Sequence, residues 1–226
     1  MRVYAGSVGG ERALGEIRQH ALGRLVSPWS WKKPLADIPW CFDNGAFRAW
    51  KLGIPWDEER FCKYAIYDDD LEMPRMYHQA WAIRGPDFGV CPDKPLSEDS
   101  LEHSLRWIER LPAETPWYLA IQNGITIHDV AEALDWAAEE ATPFWGLFVG
   151  GDARFKRRVV GPAVRLAHKL GLKVHVGRVS GRKALTMFEL AGVDSVDSSA
   201  FELFVPASRV TRARVNARGQ TRLATA

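Results

Sequence analysis

From residue 88 onward, two hydrophobic rhythms alternate along the chain. Short runs rich in β-branched and aromatic residues give way to stretches whose apolar residues recur every three or four positions. The strand-like runs are FGVCPD (88–93), WYLAIQNG (117–124), WGLFVGG (145–151), KVHVGR (173–178) and SVDSSAF (195–201). The helical stretches between them are 97–111, 127–141, 155–171 and 182–192. In the first, Leu101, Leu105, Ile108 and Leu111 make one apolar face, and Ser97 is positioned as an N-cap. Gly171 and Gly192 follow the last two and suit helix C-termini.

Strand–helix alternation implies parallel strands joined by crossover helices. In the N-terminal half, RVYAGS, LVSPW and PWCFDNGAF offer three more strands, and ERALGEIRQHALG and DEERFCKYAIYDD offer helices. Five strands and three make eight, the number of a compact α/β fold, a (β/α)8 barrel of the TIM type. An open doubly wound sheet is the competing layout and needs the N-terminal strands to be miscounted. Residues 1–208 read as a single barrel domain and 209–226 as a basic C-terminal tail. The loop-like SPWSWKKPLADIP carries Trp29 and Trp31 beside two lysines.

Polar residues gather at one end of the predicted strands. Asp43 ends PWCFD, Asp93 ends FGVCPD, Gln122 ends WYLAIQ, Gly150 and Gly151 end WGLFVGG, and Asp197 ends SVD. His175 and Gly177 lie along KVHVG. In a parallel barrel these C-terminal ends converge on the face that carries active sites. Each residue also has a purely structural reading: Asp43 as an Asx turn before Gly45, Asp93 as a cap, Gln122 as turn chemistry, the glycines as backbone shape, His175 as a satisfied inner residue. Asp197 resists one, because a carboxylate in an apolar strand needs partners. Asp194 competes with it and suits a connection.

Composition narrows the class. The chain has 226 residues, 46% of them hydrophobic and 26% charged, as expected of a water-soluble protein with a sizeable core. No apolar run approaches the roughly 20 residues that span a bilayer, and Glu11, Arg12 and Glu16 interrupt any signal-like segment. A cytoplasmic location is expected. Cys41, Cys62 and Cys91 form no C-x-x-C pair, so neither a zinc subdomain nor another metal site is expected. Net charge is +2, but basic residues cluster at Arg154, Lys156, Arg157 and Arg158. They cluster again at Arg209, Arg212, Arg214, Arg218 and Arg222. Such patches suit phosphates, or are simply a solvated face and tail.

Six segments, in order, resemble those of tRNA-guanine transglycosylases. D-N-G-A-F (43–47) is similar to the family's D-S-G-G-F, C-P-D (91–93) to S-P-D, and A-I-Q-N-G (120–124) to V-Q-G. F-V-G-G (148–151) is similar to A-x-G-G, H-V-G (175–177) to L-x-G, and G-V-D-S-V-D-S (192–198) to G-x-D-x-F-D-C. The chain lacks the family's C-terminal zinc subdomain, Ala46 stands where the family has glycine, and Asp152 stands where it has an apolar residue. These departures look more like the short phage and bacterial branch that places deazapurines in DNA.

The resemblance implies a transferase that exchanges guanine in nucleic acid, DNA rather than tRNA, for a 7-deazaguanine derivative. It implies Asp197 as covalent nucleophile and Asp43 as acid/base. Asp93, Gln122, Gly150, Gly151, His175 and Gly177 would bind the base. No cofactor or metal is implied. A duplex target would have to be flipped out, with Trp29, Trp31 and Trp50 stacking on displaced bases. Lys156, Arg157, Arg158, Arg209, Arg212 and Arg214 would hold phosphates, and a partner protein would aid access to DNA. Two alternatives stand beside this: a hydrolase or base-exchanger acting on a free nucleoside or nucleotide, and a barrel that binds nucleic acid without catalysis.

Overall fold

In the computed structural model the eight predicted strands form a closed parallel barrel in chain order, with β8 pairing back onto β1. The structure describes residues 1–6, 10–65, 84–139 and 143–198. The strands are β1 (Arg2–Ala5), β2 (Gly23–Val26), β3 (Trp40–Phe42), β4 (Gly89–Val90), β5 (Trp117–Ile121), β6 (Gly146–Val149), β7 (Lys173–Val176) and β8 (Ser195–Ser198). Seven α-helices surround them among the described residues: α1 (Glu11–Gln19), α2 (Ala46–Leu52), α3 (Glu58–Ala65), α4 (Ser100–Leu105), α5 (Ile127–Glu139), α6 (Ala153–Lys169) and α7 (Arg182–Leu190). None of the described helices is long and apolar enough to cross a membrane.

Strand alternation divides the core in two. One face of each strand packs outward on the helices, where Val3, Phe42, Leu119, Leu147, Val174 and Val196 join Ile17, Phe61, Val130, Val160 and Phe188. The other face fills the barrel with Tyr4, Cys41, Phe88, Val90, Tyr118 and Ala120, against which Leu25 and Phe148 pack. Phe88 stacks on Tyr118 at 4.2 Å between centroids and meets the edge of Tyr4 at 5.6 Å. The interior is a packed aromatic plug, so free space lies only at an end.

Three local expectations are corrected. PWCFDNGAF was expected to run as one strand, but β3 stops at Phe42 and α2 begins at Ala46. Asn44 causes the break: its side-chain carbonyl accepts from the Ala46 N–H at 2.8 Å, while Gly45 takes a left-handed φ of 77°. Gly53, also left-handed, closes α2. Ser97 is not the N-cap of the next helix, which starts two residues later than that placement after Asp99 and gives way to a 3₁₀ turn at Ile108–Arg110. The third concerns α6, which starts at Ala153 because Asp152 caps it, accepting from the Phe155 N–H at 2.7 Å. Gly171 and Gly192 both adopt left-handed φ just past their helices, as expected.

Candidate active site

The C-terminal ends of the strands open into a cavity of about 740 Å³. Asp43, Asn44, Asp93, Gln122, Gly150, Arg178 and Asp197 line its polar part, and Leu25, Phe47 and Phe148 its apolar part. The predicted convergence of strand-end residues is therefore present for four of the expected side chains and for Gly150.

Asp197, on β8, is 2% exposed and held at both oxygens. His175 Nε2 pairs with Oδ1 at 3.0 Å, and the Arg178 backbone N–H donates to Oδ2 at 3.0 Å. A carboxylate only accepts, so a neutral His175 carries its proton on Nε2 and accepts at Nδ1 from the Ser195 hydroxyl, 2.9 Å away. His175 itself is fully buried among Tyr4, Phe88 and Phe148, whose ring stacks on it at 5.3 Å. It supports the nucleophile candidate from below and is not among the lining residues, contrary to its expected place as a base contact. Asp194 is at the opposite end of the barrel. Its carboxylate accepts from the Val174 N–H at 2.8 Å and pairs with His168 at 3.0 Å. The ambiguity between the two aspartates is thus resolved in favour of Asp197 as the cavity residue.

Asp43 sits on the cavity wall, partly exposed, and its carboxyl is pushed up from 3.8 to about 7. Burial is the largest cause, and the charges of Asp197 and Asp93 add to it. The Gly45 N–H and Arg178 act weakly the other way. Trp29 holds the turn that carries Asp43. A Cβ on Gly45 would lie 2.7 Å from its indole, so the ring rests directly on the backbone.

Asp93 is also raised, chiefly by burial, although two amides support its charge. Asn44 Nδ2 donates to Oδ1 at 2.7 Å and also to the Cys91 carbonyl at 2.8 Å, and Gln122 Nε2 donates to Oδ2. Gln122 is 4% exposed, and its Oε1 is buried without a hydrogen-bond partner. Gly150 makes this arrangement possible, because a Cβ there would stand 2.3 Å from Gln122 Nε2. Gly151 turns behind the cavity with φ 76°, and Gly177 lies under the Phe148 ring, 2.5 Å from where a Cβ would be. Neither is among the lining residues.

Sequence reasoning missed Arg178 and Asn44. The guanidinium of Arg178 lies 3.4 Å over the Phe47 ring and donates to the Gly151 carbonyl at 3.1 Å. Burial lowers its pKa, while Asp197, Asp43 and Asp93 favour its charge. Its φ of 52° is uncommon for a residue with a side chain. The position directly after Gly177 was the available signal for Arg178, and the Asx pattern before Gly45 for Asn44.

The expected nucleic-acid contacts divide differently. Lys156 is 6% exposed and its ammonium donates to the Gly177 carbonyl at 2.5 Å, so it is an interior residue and not a surface phosphate ligand. Trp31 stacks on Tyr64 at 4.6 Å and packs edge-on against Trp40 and Phe42, half-buried against the core. Trp29 is covered by Arg60 at 4.5 Å and Arg48 at 5.9 Å and does not line the cavity. Arg157 and Arg158 are exposed, as is Trp50. Arg209, Arg212 and Arg214 lie outside the described residues. No protein-family model matches the sequence, and none of the curated proteins matches it.

Proposed function

We propose that this barrel is a base-exchange transglycosylase acting on a purine nucleotide unit, with guanine leaving and a 7-deazaguanine derivative entering. The observation that carries the proposal is a pair of carboxylates on one cavity in opposite surroundings. Asp197 is gripped at both oxygens and aimed, whereas Asp43 keeps its proton to about pH 7. Unlike surroundings for two acids are how one site assigns separate roles to them.

In the reaction, Asp197 attacks C1′ as the bond to the purine nitrogen breaks, and the bonding pair leaves with the base. Asp43 donates its proton to the departing base. The incoming base then gives its proton to Asp43 and attacks C1′ from the side it vacated, releasing Asp197. Two displacements retain configuration. Asp93 and Gln122 read the base edge: the buried Gln122 Oε1 calls for a donor such as an exocyclic amine or a ring N–H. A base without those donors would leave buried acceptors unpaired, which is a strong basis for selection.

The polymer substrate is DNA in this reading. A free nucleoside or nucleotide is the second reading, favoured by the interior position of Lys156, which removes one of the contacts expected for a polymer. The test is incubation with duplex DNA, tRNA or guanosine, together with labelled guanine or 7-cyano-7-deazaguanine. Label entering DNA, and lost with Asp197→Asn, supports the first reading. Label entering only the nucleoside supports the second. Binding of DNA that persists in Asp197→Asn, with no exchange by either form, overturns both in favour of a binding module.

A further inference from the structure

Lys156 has no part in the chemistry above, yet its position is unusual. It lies in the first turn of α6 and, instead of reaching into solvent like its neighbours Arg157 and Arg158, runs inward to 6% exposure. An ammonium taken from water without a full counter-charge is unfavourable, so a buried lysine needs a reason. The reason offered by the geometry is the peptide it meets. Lys156 Nζ donates to the Gly177 carbonyl at 2.5 Å. That carbonyl belongs to the same planar peptide group as the Arg178 N–H, which donates to Asp197 Oδ2 at 3.0 Å.

We propose that Lys156 is a positioning residue for Asp197, acting through the Gly177–Arg178 peptide. The proposal rests on the reading of Asp197 as the nucleophile. A cation at one end of a peptide dipole strengthens the donor at the other end, as bonds in a chain polarise one another. It also fixes the rotation of that peptide, whose next residue holds the uncommon φ of 52°. Two neighbouring bonds complete the clamp: the Val179 N–H donates to the Asp197 carbonyl at 2.7 Å, and the Gly177 N–H to the Val149 carbonyl at 3.1 Å. Lys156 therefore controls the one donor to Asp197 Oδ2 that comes from the backbone, while His175 controls Oδ1.

Burial lowers the Lys156 pKa to about 8, with Arg178 acting in the same sense and Asp197 and Asp152 opposing it. Those are the charged groups facing it from β8, from the end of β7 and from its own helix cap. Loss of the proton leaves a neutral amine that still donates to Gly177 but no longer polarises the peptide.

The experiment compares wild type with Lys156→Met and Lys156→Arg in two measurements. In exchange assays at pH 7, Lys156→Met should lower kcat roughly 10-fold with KM unchanged, and Lys156→Arg should restore most of it. The second measurement needs no activity. The side-chain carboxyl ¹³C signal of Asp197, assigned by its loss in Asp197→Asn, is titrated in an Asp43→Asn background, which removes the neighbouring acid's own transition. It should show an inflection near pH 8 that disappears in Lys156→Arg, whose side chain does not titrate there. Persistence of the inflection in that variant, or a Lys156→Met enzyme with wild-type kcat, overturns the proposal. A lysine-dependent inflection in a protein without exchange activity would keep the coupling and refute the reaction instead. Thermal unfolding below pH 8 provides the control: Lys156→Met should melt at or above the wild type, since it removes a buried charge.

Discussion

Replacing Asp43 with Asn tests the electrostatics of the site without any substrate. A carboxyl that rises from 3.8 to about 7 on folding binds more protons folded than unfolded between those values. Its contribution is therefore zero below about pH 4, grows more unfavourable as pH rises through the window, and is complete above pH 7. At about 1.4 kcal/mol per pH unit, the full cost in a dry site would be about 4 kcal/mol. Asp43 is partly exposed at the open cavity, and solvent screening cuts that to about 2 kcal/mol at pH 8. By pH 5 less than half of it remains. Asparagine has the same shape, cannot ionise and keeps an acceptor for the Gly45 N–H. Urea unfolding at pH 5 and pH 8 measures the difference. Asp43→Asn should be more stable than wild type by about 2 kcal/mol at pH 8 and by under about 1 kcal/mol at pH 5. At pH 8 this is about 4–8 °C in Tm for a chain of this size. Parallel pH dependence in the two proteins would refute the claim that Asp43 carries a proton near neutrality.

Gly150→Ala should fold but displace the Gln122 amide from Asp93, because the new Cβ falls 2.3 Å from Nε2. Binding of guanine, followed by calorimetry, should weaken roughly 10-fold or more, and unchanged affinity would remove Gln122 from the base site. His175→Phe keeps the ring packing but strips Asp197 Oδ1 and Ser195 Oγ of their partner. It should destabilise the protein by about 2–4 kcal/mol in denaturant titration, and a change below about 0.5 kcal/mol would show that the imidazole is not what satisfies Asp197. Asp194→Asn perturbs the far end of the barrel only and should leave exchange within about twofold, whereas Asp197→Asn should abolish it. Equal losses would reopen the choice between them.

The barrel was legible because β5 to β8 keep continuous apolar runs and the helices between them keep a clear three-to-four repeat. Both signals arise from burial on the barrel wall. The end of β3 was harder to read. Ala46, Phe47, Ala49 and Trp50 look equally apolar in a strand or a short helix, and only the Asx bond from Asn44 decides between them. Strand-end position brought Asp43, Asp93, Gln122 and Asp197 to one cavity, because the C-terminal ends of parallel strands in a barrel converge on one face although each residue taken singly had a structural reading. Charge counting and loop placement misjudged Lys156 and Trp31, since a basic cluster and a tryptophan pair look alike whether they face solvent or pack against the protein. The direction of Lys156 is set by its place on α6 beside Phe155, Val159 and Val160, which face the core, and one-dimensional charge counting does not see that. His175 was placed one layer too high for the same reason: the plug of Tyr4, Phe88 and Phe148 that buries it is assembled from parts of the chain far apart in sequence.

The three acids of the cavity differ in what supports them, and that difference orders their roles. Asp93 receives two side-chain amides. Asp197 receives an imidazole and a backbone N–H, each on its own oxygen. Asp43 has the Gly45 N–H and faces both other charges. Arg178 is the half-buried guanidinium whose charge all three feel, and its Nη2 is already committed to the Gly151 carbonyl. Donors to a carboxylate favour its charge, and burial beside like charges opposes it. The acid with the least support is the one driven to hold a proton, and here that acid is Asp43. In the proposed reaction, hydrogen-bond supply at the ends of β3 and β8 is what separates the proton-holding Asp43 from Asp197.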